Sequence, residues 1–280
     1  MPVPEEQLAA MATSYAAAGS STIQPGMLKL AFSCIDLTTL NPTDTVSHVA
    51  AFTQKVNLFE REYPGLSPVA ALCTYPNMVE VVKENLAVAG VRIAAVAGGF
   101  PSSMTFGFLK AEEARQAVVA GADEIDMVMP LWAFLEGNHE VCLREIKMVK
   151  AAIGEADLKV ILETGLLKSP REIWEASLLA LEAGAGFIKT STGKTAVSAT
   201  PEAVLVMALA LKHWHASTGE MKGLKAAGGI VTSHDAMVCL AIVRDILGTP
   251  WLGKERFRIG ASRLANNLLS DLLGGEIKHF

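Results

Sequence analysis

The stretch "LKVILETGLLKSPREIWEASLLALEAGAGFIKTSTGK", residues 158–194, decides the fold. It opens on an apolar run, 158–164, of the length of a buried strand. Ser169 stands before Pro170, a helix-start pair, and apolar residues then recur at helical spacing through 170–185. Gly184 closes that helix, and a second β-branched run, "FIKTST" (187–192), follows almost at once. Strand, helix and strand within some forty residues make a crossover unit, which pairs its strands in parallel.

The same unit recurs in both directions along the chain. Strand-like runs fall at 30–36, 68–74, 92–98, 124–129, 158–164, 187–192, 224–229 and 257–262. Helical spacing fills 45–62, 110–122, 141–154, 170–185, 201–216 and 233–247 between them. An Ala-Gly or Gly-Ala step precedes the next strand at Ala89-Gly90, Gly121-Ala122 and Gly184-Ala185. Eight such units predict an α/β fold, a (β/α)8 TIM barrel spanning residues 1–280 as a single domain, with 1–25 an extra N-terminal helix and tail and 274–280 a C-terminal tail. The main alternative is an open doubly wound sheet. That sheet usually turns out of its first strand through G-x-G-x-x-G, which "CIDLTTLN" (34–41) does not offer.

Composition restricts the function classes. The 280 residues are 51% hydrophobic with a net charge of −5, enough apolar content for a large core and no broad basic footprint for nucleic acid or an anionic membrane. No apolar run is long enough to span a bilayer, and residues 1–22 lack a basic segment followed by an apolar block, so a cytoplasmic protein is expected. Cys34, Cys73, Cys142 and Cys239 are scattered without a C-x-x-C pair and read as buried free thiols. The four tryptophans read as packing anchors.

Lys189 is the anomaly in the opening stretch. A strand enclosed on both faces has no ordinary place for an ammonium, whose desolvation must be offset by pairing or by loss of the proton. Charges also stand at Asp36, Asp126, Lys225 and Glu163, all read as strand positions aimed at the C-terminal rim where barrels of this kind gather their sites. Glu163 alone reads better as solvated or capping. Two lysines in two buried strands resist a structural account, because each would need its own carboxylate.

Two close lysines suit a nucleophilic amine. With an ordinary pKa near 10.4, only about one lysine in 2,500 is neutral at pH 7. A neighbouring ammonium and an apolar pocket both lower that value. The free amine adds to a carbonyl to give an imine, which serves as an electron sink, and a carboxylate such as Asp126 can relay a proton to or from a substrate hydroxyl. Gly228-Gly229 and Gly260-Ala261-Ser262 stand where the loops after strands seven and eight often hold a phosphate, and Gly193-Lys194 follows strand six. A sugar-phosphate aldolase using a Schiff base is the reading that unites these parts. A different Schiff-base barrel, a metal-dependent aldolase and a barrel that only binds sugar phosphates remain alternatives. The metal reading lacks histidines at strand ends, since His48, His139, His213, His215 and His234 fall in helices or at their edges.

The segments "IDLTTLNP" (35–42), "LCTYP" (72–76), "GADEIDMVM" (121–129), "ILETGLL" (161–167), "GFIKTSTGK" (186–194), "KAAGGI" (225–230) and "RIGAS" (258–262) resemble, in order and spacing, the deoxyribose-phosphate aldolases. The resemblance covers roughly residues 28–273. It implies reversible cleavage of 2-deoxy-D-ribose 5-phosphate to acetaldehyde and D-glyceraldehyde 3-phosphate without metal or organic cofactor. By the same resemblance Lys189 is the Schiff-base lysine, Lys225 the second lysine and Asp126 the proton-shuttling carboxylate. Asp36, Thr38 and Cys73 stand about the substrate, the thiol read as structural, and Gly193, Lys194, Gly228, Gly229, Gly260 and Ser262 form the phosphate cradle. Small phosphorylated sugars and aldehydes are the implied partners, with a homodimer the weak expectation for assembly. Three features depart from the family pattern: Arg263 after Ser262, the loop "GGFPSSMTFG" (98–107), and a chain ending in "IKHF" with Phe280 where some members carry a tyrosine.

Overall fold

The computed structural model describes residues 1–19 and 23–280. Eight parallel strands close into a barrel: β1 (Ile35–Thr38), β2 (Ala71–Thr74), β3 (Arg92–Ala97), β4 (Glu124–Val128), β5 (Asp157–Ile161), β6 (Phe187–Lys189), β7 (Gly223–Ala227) and β8 (Phe257–Ala261). The ring closes where Ile35 pairs with Ile259 and Asp36 with Gly260. Around it run α3 (Val46–Glu62), α4 (Val79–Asn85), α5 (Gly107–Val119), α6 (Leu131–Leu135), α7 (His139–Ile153), α8 (Pro170–Glu182), α9 (Pro201–Thr218), α10 (Ser233–Leu247) and α11 (Arg263–Leu273). Among the described residues no helix is long and apolar enough to cross a membrane.

The helix starts follow the side-chain chemistry of the sequence. Ser169 and Thr200 each accept a backbone N–H at the head of α8 and α9, with proline at the first helical position, and Thr232 with Asp235 forms a reciprocal capping box on α10. The helices then bury apolar stripes on the barrel, and α9 and α10 bury most of their length under a further helix, α1 (Glu5–Ala18). That is the extra N-terminal helix the sequence predicts. Ser20–Thr22, in the same predicted segment, lie outside the described residues.

Strand boundaries differ from the sequence reading at both ends. Residues 30–33 belong to a helix, α2 (Pro25–Ser33), which buries Leu28, Ala31 and Phe32 and packs against α10 and α11. Apolar residues spaced by three and four, entered through a proline, make a helix of a run that looks strand-like in isolation. Beyond β5, β6 and β7, residues 162–164, 190–192 and 228–229 leave the sheet to build loops; Glu163 takes φ +53° and Gly228 and Gly229 take φ +80°.

The barrel interior has two unlike sides. Ala71, Cys73, Ala94 and Val96 from β2 and β3, with Leu40 above them, form a wall of small apolar groups. The opposite side is charged: Asp36, Glu124, Asp126, Lys159, Lys189, Lys225 and Arg258 are all buried. Two glycines make room for this packing. A Cβ at Gly223 would lie 2.2 Å from the Phe187 ring, and one at Gly260 would lie 3.0 Å from Lys225 Cε.

Candidate active site

Side chains alternate along a strand, so Glu124 and Asp126 share the inward face of β4, and register sets Asp126 beside Lys159, and Lys189 beside Lys225. The result is a connected charge network inside the barrel. Lys189 Nζ donates to Asp126 Oδ2 at 2.8 Å, and Lys225 Nζ donates to the same oxygen at 2.7 Å. Lys159 Nζ donates to Asp126 Oδ1 at 2.9 Å and to Glu124 Oε2 at 2.5 Å. Lys225 Nζ also lies 2.5 Å from Asp36 Oδ2 as an ion pair, and that oxygen has no hydrogen-bond donor of its own.

The two adjacent lysines differ in what neutralises them. Lys225 faces two carboxylates, Asp126 and Asp36, which outweigh its burial and raise its pKa. Lys189 faces Asp126 alone and shares it. Burial, aided by the charge on Lys225, lowers the Lys189 pKa despite the pull of Asp126. Asp126 is held well below the usual carboxylate range: its burial opposes ionisation, but the charges of Lys159, Lys189 and Lys225 outweigh it. The arrangement sets a lysine of lowered pKa between an ionised carboxylate and a persistent ammonium.

Lys189 ends β6 at the floor of an open cavity of about 550 Å³ and is 3% exposed. Thr38, Gly193, Lys194, Gly228, Gly229, Gly260, Ser262 and Arg263 line the same cavity. Thr38 Oγ1 donates back to the Asp36 carbonyl. Lys194 Nζ crosses the mouth to donate to the Leu40 carbonyl at 2.6 Å, tying the loop after β6 to the loop after β1. Positive φ at Gly193, Gly228 and Gly229, and the N-terminus of α11 after Ser262, give the far end of the cavity tight backbone turns suited to an anion. Gly228 and Gly193 approach so closely that a Cβ on Gly228 would lie 3.0 Å from the Gly193 Cα.

The structure brings Lys189, Lys225, Asp126 and Asp36 together, yet only Lys189 sits at the rim. Asp36, Asp126 and Lys225 are fully buried and outside the cavity lining, within their strands, where β-register rather than strand ends places them. Glu163 is not part of the cluster. It accepts from the Thr192 N–H at 3.2 Å and the Thr192 hydroxyl at 2.6 Å, anchoring the loop that carries Gly193 and Lys194. Cys73 lies in the apolar wall with its thiol pKa raised by burial. Gly260 has a packing duty beyond the phosphate end, since its missing side chain is the space through which Lys225 passes.

Three charged residues escaped the sequence reading: Lys159, Glu124 and Arg258. They lie early or midway in their strands, as Asp36, Asp126 and Lys225 do, so strand position alone does not separate them. The signal was parity, because Glu124 stands two residues before Asp126. The tail is also fixed: Asn266 Oδ1 accepts from the His279 and Phe280 N–H groups, and the Phe280 ring packs 5.9 Å from that of Phe59 at the cavity edge.

A parallel (β/α)8 barrel with a lysine at the floor of its mouth, held between a carboxylate and a second lysine, defines a class of carbon–carbon lyases. The comparisons agree: the DeoC/LacD family aldolase profile matches residues 30–247, and the chain belongs to that family and is a lyase. The deoxyribose-phosphate aldolase of Bos taurus is 40% identical over 252 residues, covering 86% of this chain and 79% of the relative. That of Homo sapiens is 40% identical over 256 residues, covering 88% and 80%. The solved deoxyribose phosphate aldolase of Aeropyrum pernix, described as tetrameric, superposes with a TM-score of 0.69 at 27% identity, covering 91% of this chain and 96% of that one.

Proposed function

We propose that the protein is a deoxyribose-phosphate aldolase that reversibly cleaves 2-deoxy-D-ribose 5-phosphate to acetaldehyde and D-glyceraldehyde 3-phosphate through a Schiff base on Lys189. The observation that carries this is position: Lys189 alone among the lysines of the buried charge network also lines the cavity. A network lysine outside the cavity lining, such as Lys159 or Lys225, is not placed to add to the carbonyl itself. Sequence identity of 40% to named aldolases supports the choice of substrate.

The amine of Lys189 adds to the C1 aldehyde of the open-chain sugar, and loss of water with uptake of one proton leaves a protonated imine. The C3 hydroxyl then gives up its proton to a water oriented by Asp126 and Lys225. The C2–C3 bonding pair moves into the imine, releasing glyceraldehyde 3-phosphate and leaving an enamine. Proton return to C2 regenerates the imine, and water hydrolyses it to acetaldehyde and the free amine. Asp126, so readily ionised, holds and orients the relay rather than keeping the proton. Asp36 fixes Lys225, and Thr38 faces the sugar. Gly193, Lys194, Gly228, Gly229, Gly260 and Ser262 receive the phosphate chiefly through backbone N–H groups, with Arg263 beside them.

Borohydride reduction in the presence of acetaldehyde tests the assignment. Peptide mapping should find one added ethyl group on Lys189 and none in a Lys189→Arg variant. Absence of any adduct, or an adduct confined to Lys225, overturns it.

A further inference from the structure

Arg258 and Glu124 lie on the side of the network away from the cavity. Arg258 donates from Nη1 to Asp36 Oδ1 at 2.6 Å and from Nη2 to Glu124 Oε1 at 2.8 Å, and its guanidinium lies 5.7 Å from the centre of the Phe187 ring. With these contacts the network closes on itself. Going round, Arg258 meets Glu124, Glu124 meets Lys159, Lys159 meets Asp126, Asp126 meets Lys225, Lys225 meets Asp36, and Asp36 returns to Arg258. Three cations alternate with three carboxylates, so the ring is neutral without Lys189. Lys189 is a fourth cation hung on Asp126, with no carboxylate left over.

Resting on the Schiff-base reading of Lys189, we propose that Arg258 and Glu124 are positioning residues for the reaction: they balance the ring so that Lys189 is its one unmatched charge, and thereby set how much of it stands as free amine. Neither touches Lys189. The titratable groups that face its amine are Asp126 from β4, Lys225 from β7 and Cys73 from β2, with Asp36, Lys159, Glu124 and Arg258 one or two links further round. Arg92 also approaches Glu124, at 3.6 Å, but it is paired with Asp157 at 3.0 Å and lies partly in solvent, so it leaves the balance unchanged.

Ring neutrality makes a prediction that packing alone does not. Removing the Arg258 charge leaves an excess carboxylate and retains the proton on Lys189; removing the Glu124 charge leaves an excess cation and expels it. A unit charge on the order of 10 Å away, at an effective dielectric constant of about 20, moves a titration by about one pH unit.

The experiment is the pH profile of borohydride-trapped acetaldehyde on Lys189, read by peptide mass spectrometry in the full-length protein, for wild type, R258M, R258K, E124Q and the double variant E124Q/R258M. The midpoint should rise by about one unit in R258M, fall by about one unit in E124Q, and stay near wild type in R258K. In the double variant, which removes one charge of each sign, it should return to within about 0.3 unit of wild type although its packing lesion is the largest of the set. Single-variant midpoints that move together or not at all, or a double variant displaced further than either single, overturn the inference. If R258M fails to fold, the E124Q shift and its reversal in the double variant decide the matter alone. Wild-type protein that traps no aldehyde at any pH refutes the Schiff-base reading instead, so the two failures are distinguishable.

Discussion

Replacing Lys225 with methionine keeps most of the side-chain volume and removes one charge from beside Lys189. Both lysine nitrogens contact Asp126 Oδ2, at 2.8 and 2.7 Å. They therefore stand within about 5.5 Å of each other, where two unit charges at an effective dielectric constant of about 20 repel by about 3 kcal/mol. That is about two pKa units, so the Lys189 value rises by about two when Lys225 is lost. The sign is unambiguous: a cation beside a cation favours the neutral form, and its removal favours the charged one. At neutral pH the amine fraction, and with it the rate of imine formation from acetaldehyde, should fall about 100-fold, and raising the pH by two units should recover most of it. The assay is borohydride trapping against pH on protein whose circular dichroism matches wild type. A Lys225→Met protein that folds normally but traps aldehyde with an unchanged or lower midpoint would refute the reasoning, because Lys225 would then exert no electrostatic pressure on its neighbour.

Gly260→Ala places a methyl 2.9 Å from Ala227 Cβ and 3.0 Å from Lys225 Cε. It should destabilise the fold by about 1–3 kcal/mol in urea unfolding and reduce turnover more than 10-fold by displacing Lys225; an unaltered kcat would show that the space is not needed. Glu163→Ala releases the loop of Gly193 and Lys194 without touching the lysine pair. KM for the sugar phosphate should rise about tenfold while acetaldehyde trapping on Lys189 changes less than about twofold, whereas equal loss in both would make Glu163 part of the reacting centre. Lys110, fully buried, pairs with Glu145 at 2.7 Å and donates to Ser103 at 2.7 Å, clamping the loop after β3 against α7. Lys110→Met should destabilise by about 3 kcal/mol by stranding the Glu145 charge, and Glu145→Leu added to it should recover much of that loss in the same unfolding assay.

The barrel is legible because one pattern recurs, most completely from α7 to α10: a capped helix, a glycine exit, a short apolar run. All eight strands fall on runs of that kind. What was not legible is where a run changes backbone. "LKLAFSCID" (28–36) is mostly apolar, and only the spacing of Leu28, Ala31 and Phe32 and the entry through Pro25 assign its first half to a helix. Past β5 and β6 strand-favouring residues continue into the loops, Leu162 and Thr164 in one and Thr190 and Thr192 in the other, so composition overruns the strand. The lysine pair could be read from sequence because an ammonium is conspicuous in a buried run. Lys159, Glu124 and Arg258 are equally out of place, but their meaning depends on which strands meet across the barrel interior. The contact between Arg258 and Glu124 joins residues 134 positions apart, and no local pattern announces it. Glu163, read alone as solvated or capping, is instead buried, and a left-handed backbone turns it onto Thr192.

Everything in the proposed mechanism requires one amine in the barrel to give up its proton while two others nearby keep theirs. Lysine side chains carrying a ¹³C label at Cε report each protonation directly in the untreated protein, with Lys189→Arg and Lys225→Met spectra supplying the assignments. The resonance of Lys189 should titrate below the ordinary lysine value of 10.5, while those of Lys159 and Lys225 remain those of ammonium groups past that pH. A Lys189 that keeps its proton to pH 10.5 and beyond, alongside its neighbours, would contradict the account.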